Sequence, residues 1–176
     1  MLSILAAAAL VLHQTAIPPQ PPKLPPCDSR PEARQFDFWV GEWDVFVSGK
    51  PAGSNRIEKI LNGCVLQENW TGAGGGAGKS WNWYDIGDGK WHQLWLASGG
   101  APHLSMAGGF ANDVMKYEGT SIGPGGVTLQ NRLQFFKLPN DRIRQFWEQS
   151  RDGGKTWTTV FDGTYRRGRG TGDRGR

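Results

Sequence analysis

Three short segments of the sequence pair a polar side chain with a tryptophan two residues later: Glu68-Asn69-Trp70, Gln93-Leu94-Trp95 and Gln145-Phe146-Trp147. Alternate residues of a β-strand face the same side of the sheet, so each segment would place a carboxylate or an amide beside an indole. Flat aromatic walls with a few hydrogen-bonding groups suit a partly polar planar or sugar-like ligand better than a fatty acyl chain. The candidate ligand pocket predicted in this way consists of Glu68, Trp70, Gln93, Trp95, Gln145 and Trp147.

The direction of these faces decides between this pocket and two alternatives. If the tryptophans point outward, the core is filled instead by Leu94, Leu96, Leu133 and Phe135. The indoles then form a surface for another chain or a glycan, which indicates an envelope or cell-surface interaction module without an interior ligand. In the remaining arrangement, the tryptophans are only large core residues with satisfied N–H groups.

Acid–base chemistry has four candidates, Glu68, Glu148, His92 and His103, and no recognisable nucleophile or metal-ligand spacing connects them. Glu68 and Glu148 could meet inside a barrel as a catalytic pair, or each could form a salt bridge with an arginine on an outer face. Haem ligation through His92 or His103 is a secondary alternative, because a lone strand histidine is far more often exposed or hydrogen-bonded. The sequence therefore predicts no catalytic residue, metal site or cofactor, and favours a ligand-binding protein over an enzyme.

Two stretches match known motifs, but the surrounding sequence argues against the usual function of each motif. Residues 73–80 fit a relaxed phosphate-binding loop, but that motif requires a helix after its lysine, and residues 80–84 alternate as a strand does. Residues 150–157 match the Asp-box pattern of sialidase propellers, in a single copy. We interpret this copy as a hairpin in which Asp152 caps the loop amides and Trp157 packs beneath them.

Short apolar segments alternate with turns through most of the chain, which has 26 glycines and 11 prolines. No long 3.6-residue periodicity is present, so the pattern predicts an all-β protein. Closing consecutive hairpins into a barrel removes the exposed edges, and the predicted fold is a single antiparallel up-and-down β-barrel with a short N-terminal helix. Its ten strands are predicted over residues 43–48, 54–61, 65–71, 79–84, 91–97, 103–108, 114–121, 127–138, 142–150 and 156–166.

The order of segments predicts an exported protein, periplasmic or extracellular. Residues 1–16 carry an apolar run of signal-peptide length that is too short for a membrane span. A proline-rich linker follows over 17–28, then the barrel domain over 29–167 and a disordered basic tail over 168–176. Within the domain, Ser29-Arg30-Pro31-Glu32 has the spacing of a capping box and predicts a helix over residues 30–38.

Cys27 and Cys64 are the only cysteines, and in an exported protein the simplest use of such a pair is a disulfide. No C-x-x-C spacing supports a redox function. The formal net charge of +4 comes from the arginine-rich tail, so the folded body is near neutral and no specific nucleic-acid partner is indicated. We expect a monomer or weak dimer that binds a small molecule and has no membrane span in its mature form.

Gly41-Glu42-Trp43 stands at the start of the first predicted strand, and Arg166 ends the last. This arrangement resembles the structural signature of lipocalins and other calycins, in which the arginine lies over the tryptophan and closes the base of the barrel. The resemblance implies structural roles for Gly41, Trp43 and Arg166. More broadly, residues 36–43, 63–66 and 152–157 resemble an exported bacterial family described only as a domain of unknown function, and that likeness implies no particular ligand.

Overall fold

The computed structural model describes residues 26–100 and 103–168. Ten antiparallel strands close into one barrel in which each strand pairs with its neighbours in sequence, and β1 pairs with β10. The predicted fold class is therefore confirmed. The strands are β1 (Gly41–Val47), β2 (Lys50–Ile60), β3 (Val65–Gly72), β4 (Ala77–Asp85), β5 (Lys90–Ala97), β6 (Leu104–Ala111), β7 (Val114–Ile122), β8 (Thr128–Leu138), β9 (Arg142–Ser150) and β10 (Thr158–Arg167).

Each of the ten predicted strands is present. Their ends differ by a few residues, and the largest difference is at β2, which begins at Lys50 rather than at residue 54. The additional residues of β2 pair with β1 across a register shift between Val45 and Phe46. Such a bulge adds a residue to one strand, and hydrophobic alternation alone does not reveal it.

The N-terminal helical segment consists of three one-turn 3-10 helices, Cys27–Ser29, Glu32–Arg34 and Asp37–Trp39, rather than one continuous helix. The predicted capping box does not form. Ser29 Oγ instead donates to the carbonyl oxygen of Pro26 at 2.6 Å, and the second turn has no side-chain cap. Helices this short have little stability of their own, so packing against the barrel decides their geometry.

These turns form an aromatic plug, which we define as Phe36 and Trp39. Both side chains are completely buried, and their rings stack with centroids 4.8 Å apart. Phe36 also contacts Trp91 and Phe135, with ring centroids 5.8 and 5.0 Å away. Because β1 begins and β10 ends beside the plug, it closes the base of the barrel.

The arginine at the base is Arg167, so the prediction that Arg166 meets Trp43 is wrong. The guanidinium of Arg167 lies 3.9 Å from the centroid of the Trp43 ring and donates to the Val40 carbonyl at 2.7 Å. Arg166 lies over Phe46 on the outer face. β10 continues one residue beyond its predicted end, so the residue opposite Trp43 is Arg167. Because neighbouring residues of a strand face opposite sides of the sheet, Arg166 points outward.

Gly41 and Trp43 both contribute to the closed base of the barrel. Gly41 has a φ of +127°, a conformation that residues with a Cβ rarely adopt. A Cβ at Gly41 would also lie 2.2 Å from the guanidinium of Arg167. The Trp43 Nε1 donates to the Trp39 carbonyl at 2.7 Å and so links β1 to the plug.

A disulfide joins Cys27 to Cys64, as predicted from the cysteine pair. It connects the first 3-10 turn to the turn before β3, and therefore fastens the N-terminal segment to the base of the barrel. A disulfide of this kind is typical of proteins outside the reducing cytosol. None of the helices in the described part of the chain has the length and apolar character needed to cross a membrane.

The contacts of Arg167 predict unequal effects for two neighbouring substitutions. Arg167→Ala should lower the free energy of unfolding by about 1–2 kcal/mol, because it removes a cation–π contact and charge-assisted hydrogen bonds. The matched control Arg166→Ala removes only the contact with Phe46 and should cost less than about 0.5–1 kcal/mol. Urea unfolding of both variants would measure the difference, and equal losses would contradict the assignment of Arg167 to the base.

The disulfide also has a predicted contribution to stability. Its cysteines are 37 residues apart, and loop-closure entropy for that length predicts that the Cys27→Ser/Cys64→Ser variant loses roughly 4 kcal/mol of unfolding free energy. Reductant should destabilise the wild-type protein by a similar amount and leave the double variant unchanged. Urea unfolding with and without reductant tests this, and a wild-type midpoint that does not respond to reductant would refute it.

Candidate ligand-binding site

A cavity of about 260 Å³ occupies the half of the barrel away from the plug. All six residues of the sequence-predicted pocket lie on its wall, because the odd positions of β5 and β9 and the even positions of β3 face the interior. The lining residues are Glu68, Trp70, Gln93, Trp95, Leu104, Leu133, Gln145, Trp147, Phe161 and Tyr165.

The alternative apolar core is only partly realised. Leu133 and Phe135 are buried in the interior, whereas Leu96 is 42% exposed and lies with Leu94 on the outer face of β5. These four residues therefore do not fill the core together. Which of its two faces a strand turns inward is decided separately for each strand. β8 therefore presents apolar residues to the interior, while β5 presents Gln93 and Trp95.

Glycines lie beneath three of the aromatic rings and allow them to lie close to the wall. A Cβ at Gly78 would lie 2.3 Å from the ring of Trp95, and one at Gly163 would lie 2.3 Å from the ring of Phe161. Gly53 has the same relation to Trp70, at 2.7 Å. These close approaches keep the rings near the backbone, so they line the cavity without filling it.

The polar groups below the rings form a connected hydrogen-bond network. Glu68 accepts from Asn55 Nδ2 at 2.7 Å and from Ser80 Oγ at 2.6 Å. Asn82 Nδ2 donates to Ser80 Oγ at 2.9 Å, and its Oδ1 accepts from Gln93 Nε2 at 2.8 Å. The network thus crosses four adjacent strands, β2 to β5, and fixes the orientation of each amide.

Tyr165 extends the network to the other side of the cavity. Its hydroxyl donates to Gln145 Oε1 and accepts from Asn55 Nδ2 at 3.3 Å. Burial, with a smaller contribution from the Glu68 carboxylate, raises the pKa of Tyr165 well above its usual value, so this residue stays neutral. Asn55 Oδ1 is buried and has no hydrogen-bond partner.

Glu68 is the ionisable group of the cavity that titrates near neutral pH. The residue is 5% exposed. Burial raises its pKa to about 7, against the opposing effect of the hydrogen bonds from Ser80 and Asn55. A carboxyl group in this state can donate or accept a proton at physiological pH, and it can also serve as a buried negative charge.

Glu148 does not join Glu68, so the alternative of a catalytic pair inside the barrel does not hold. Glu148 lies on the outer face of β9, where Arg132 Nε donates to it at 2.6 Å. The two carboxylates are on opposite faces of the barrel wall because β3 and β9 differ in parity. The alternative interpretation, an outer-face salt bridge, holds for Glu148 and fails for Glu68.

The two histidines lie away from the cavity. His92 faces outward, where its ring stacks on Trp83 and its Nε2 lies 3.0 Å from Asp88. His103 is exposed, just before β6. Haem in the cavity would therefore find neither predicted ligand on its wall.

Asp85, Asp88 and His92 bring possible metal-ligating atoms within 4.8 Å of one another. Asp85 accepts from the amide of Gly87 at 2.7 Å, and Asp88 accepts from that of Lys90 at 3.0 Å. Through these local hydrogen bonds, both carboxylates stabilise the turn.

The two motif-like stretches have structural roles. Lys79 and Ser80 lie within strand β4, with Ser80 facing the interior, rather than at the start of a helix. In the β9–β10 loop, Asp152 accepts from the amides of Lys155 and Thr156 at 3.0 and 2.9 Å. The Trp157 ring packs under the guanidinium of Arg132, whose central carbon lies 4.1 Å from the centroid of the ring.

Sequence reasoning missed part of the site. Asn55, Ser80, Asn82 and Tyr165 contribute its polar groups, while Leu104, Leu133 and Phe161 complete its wall. The alternation of Ser80 and Asn82 with two outward tryptophans was a usable signal for the polar face of β4. No local signal connects Tyr165 to Asn55, because the contact joins residues 110 positions apart.

Comparison with known proteins gives no additional assignment. No protein-family model matches the sequence, and no curated protein matches it. The function is therefore inferred from the geometry of the cavity.

The raised pKa of Glu68 predicts a specific dependence of stability on pH. Since the unfolded chain releases this proton near pH 4.5 and the folded protein near pH 7, the carboxyl destabilises the fold progressively over that interval, by on the order of 3 kcal/mol above pH 7. Glu68→Gln should remove this dependence, so the stability of the variant relative to wild type should rise from pH 4.5 to 7 and then level off.

Chemical denaturation from pH 4.5 to 8.5 measures this difference. Glu148→Gln is the matched control, because it neutralises a carboxylate on the outer face. It should lower stability by about 1–3 kcal/mol by weakening the hydrogen bond with Arg132. A constant difference between Glu68→Gln and wild type across the pH range would show that Glu68 is not perturbed by burial.

Proposed function

We propose that this protein binds a small, partly polar planar ligand inside its barrel. The observation that supports this most directly is the convergence of three indoles, one phenyl ring and several amide or carboxyl groups on one cavity. Binding pockets for small molecules commonly combine apolar walls with a few placed polar groups. A barrel used only as a scaffold would gain stability by filling this space with side chains.

The size of the cavity limits the ligand. Its volume of about 260 Å³ is slightly below the range of about 300–1,000 Å³ typical of pockets for drug-sized molecules. A molecule with one or two rings fits this space. A long acyl chain would require more length and would leave the polar network without partners.

Export and the calycin likeness are parts of the same proposal. The disulfide supports a location outside the cytosol, while the predicted signal peptide lies outside the described residues. The contact between Arg167 and Trp43 supports the likeness to calycins. A binding role inferred from fold alone would be an analogy, so the proposal depends on the cavity.

An interaction site on the outer wall is the second candidate. Trp81 and Leu96 face outward there and border a depression of about 440 Å³ that also includes Asn69, Lys79 and Ser98. This surface has the aromatic and polar groups that a glycan or another chain could contact. It is shallower than the interior cavity, and it therefore ranks second.

Substitution of inner and outer tryptophans distinguishes the two candidates. We expect indole, as a neutral planar probe, to give a saturable heat of binding in isothermal titration calorimetry, and decanoate to give none. Trp95→Ala and Trp147→Ala should each weaken indole binding about tenfold, because each removes one aromatic wall. Trp81→Ala, the matched outer-wall control, should leave it unchanged.

The same titration can contradict the proposal in two ways. If indole, a monosaccharide, an aromatic acid and decanoate all give flat responses, the interior does not bind small molecules of these classes. If a probe binds and only Trp81→Ala weakens it, the outer wall is the site.

A further inference from the structure

We infer that the ligand is an organic cation, an amine or quaternary ammonium on a small apolar body, whose charge lies between the Glu68 carboxylate and the indole faces of the cavity. This inference rests on the proposed function and specifies the chemical class of the ligand. It follows from the charge, hydrogen bonding and aromatic content of the cavity.

Glu68 has no positively charged partner in the cavity. Its hydrogen-bond partners, Asn55 and Ser80, are both neutral. A carboxylate offers about four lone-pair positions, so one on each oxygen is left after these two bonds. A buried carboxylate without a cation is unfavourable, and a cationic ligand would supply the opposite charge.

No side chain of the described residues supplies that charge. The cavity wall contains no lysine, arginine or histidine. Lys59 lies at the base and pairs with Asp37 at 2.7 Å. Arg167, also at the base, is held by Asp141 and by the Val40 carbonyl.

Hydrogen-bond acceptors lie on the Glu68 side of the cavity. The Leu66 carbonyl can only accept, so its contact with Asn82 Nδ2 orients the Asn82 amide. Asn82 Oδ1 then accepts from Gln93 Nε2, which leaves Gln93 Oε1 as a further acceptor on the cavity wall. With the unpartnered Asn55 Oδ1 below, this arrangement favours a ligand that donates hydrogen bonds.

Aromatic rings make up much of the cavity wall. Trp70, Trp95, Trp147 and Phe161 surround the space next to Glu68. Tryptophan faces attract ammonium groups more strongly than other aromatic rings do, and desolvation strengthens the attraction. Aromatic faces around a carboxylate therefore suit a cation with an apolar body, while an anionic ligand would meet a like charge.

The ionisation of Glu68 makes this binding dependent on pH. Tyr165 on β10 faces Glu68, and Tyr117 on β7 lies deeper in the same interior; burial raises the pKa of both well above the usual value. Glu68, with its pKa raised to about 7 by burial, is therefore the group that changes charge. If binding requires the carboxylate, affinity should rise roughly tenfold between pH 6 and pH 8.

The experiment compares three probes of similar shape by isothermal titration calorimetry: 2-phenylethylamine, 2-phenylethanol and 3-phenylpropanoate. The amine stays protonated over the pH range used, since aliphatic ammonium groups lose their proton near pH 10. At pH 8 we expect the amine to bind at least about tenfold more tightly than the alcohol, and the propanoate to bind more weakly than the alcohol. At pH 6 the advantage of the amine should fall roughly tenfold.

Two variants locate the effect. Glu68→Gln keeps the shape of the side chain and should bind the amine and the alcohol with similar affinity at both pH values. Glu148→Gln neutralises the outer-face carboxylate and should keep the wild-type preference. The pH comparison on the wild-type protein does not depend on either variant folding.

The outcomes separate this inference from the proposed function. If the alcohol binds as tightly as the amine, or the propanoate binds best, the cavity binds ligands but is not selective for cations, and only this inference fails. A preference for the amine that persists in Glu68→Gln, or that does not change with pH, also overturns it. If none of the probes binds at millimolar concentration, and indole does not bind either, both proposals fail.

Discussion

The packing of the aromatic plug at one end of the barrel is the interaction on which the rest of the structure depends. Phe36 and Trp39 fill the base, and Trp43 and Phe135 pack with them in a continuous hydrophobic core. Because buried aromatic rings contribute large apolar areas, this half can account for most of the hydrophobic stabilisation of the fold. The other half can then contain a cavity, whose lost packing would otherwise be a serious cost.

The base is reinforced by contacts of different physical kinds. The disulfide fastens the first 3-10 turn, and Trp43 is hydrogen-bonded to the Trp39 carbonyl. Arg167 covers Trp43 from outside and bonds to Val40. All of these contacts join the N-terminal segment to the strands, so the segment is an integral part of the barrel.

The polar network around Glu68 has the opposite character. A buried carboxyl whose partners are neutral contributes little to stability once it is ionised, and apolar side chains at the same positions would pack with less difficulty. Asn55, Ser80 and Asn82 nevertheless surround it with good hydrogen-bond geometry. Groups that are expensive to bury and accurately oriented are more typical of a site that recognises a ligand than of a core.

Alternation and turn chemistry in the sequence determined the ten strands and their antiparallel order, and the presence of only two cysteines indicated the disulfide. Alternation also identified six residues of the cavity wall, because residues two apart in a strand must share a face. The pattern did not say which face was inward, and β5 and β8 resolve that choice in different ways. The bulge in β2 and the extra residue at the end of β10 were also invisible, which is why Arg166 was chosen in place of Arg167.

Only the tertiary structure decided which polar groups meet. Tyr165 on β10 reaches Asn55 on β2 because both strands pair with β1 in the closed barrel. Ser80 and Asn82 connect Glu68 to Gln93 across neighbouring strands. Glu148, which the sequence could pair with Glu68, faces outward to Arg132 instead. The sequence by itself determines local periodicity, whereas these contacts depend on register and closure, which are set by packing between residues far apart in the chain.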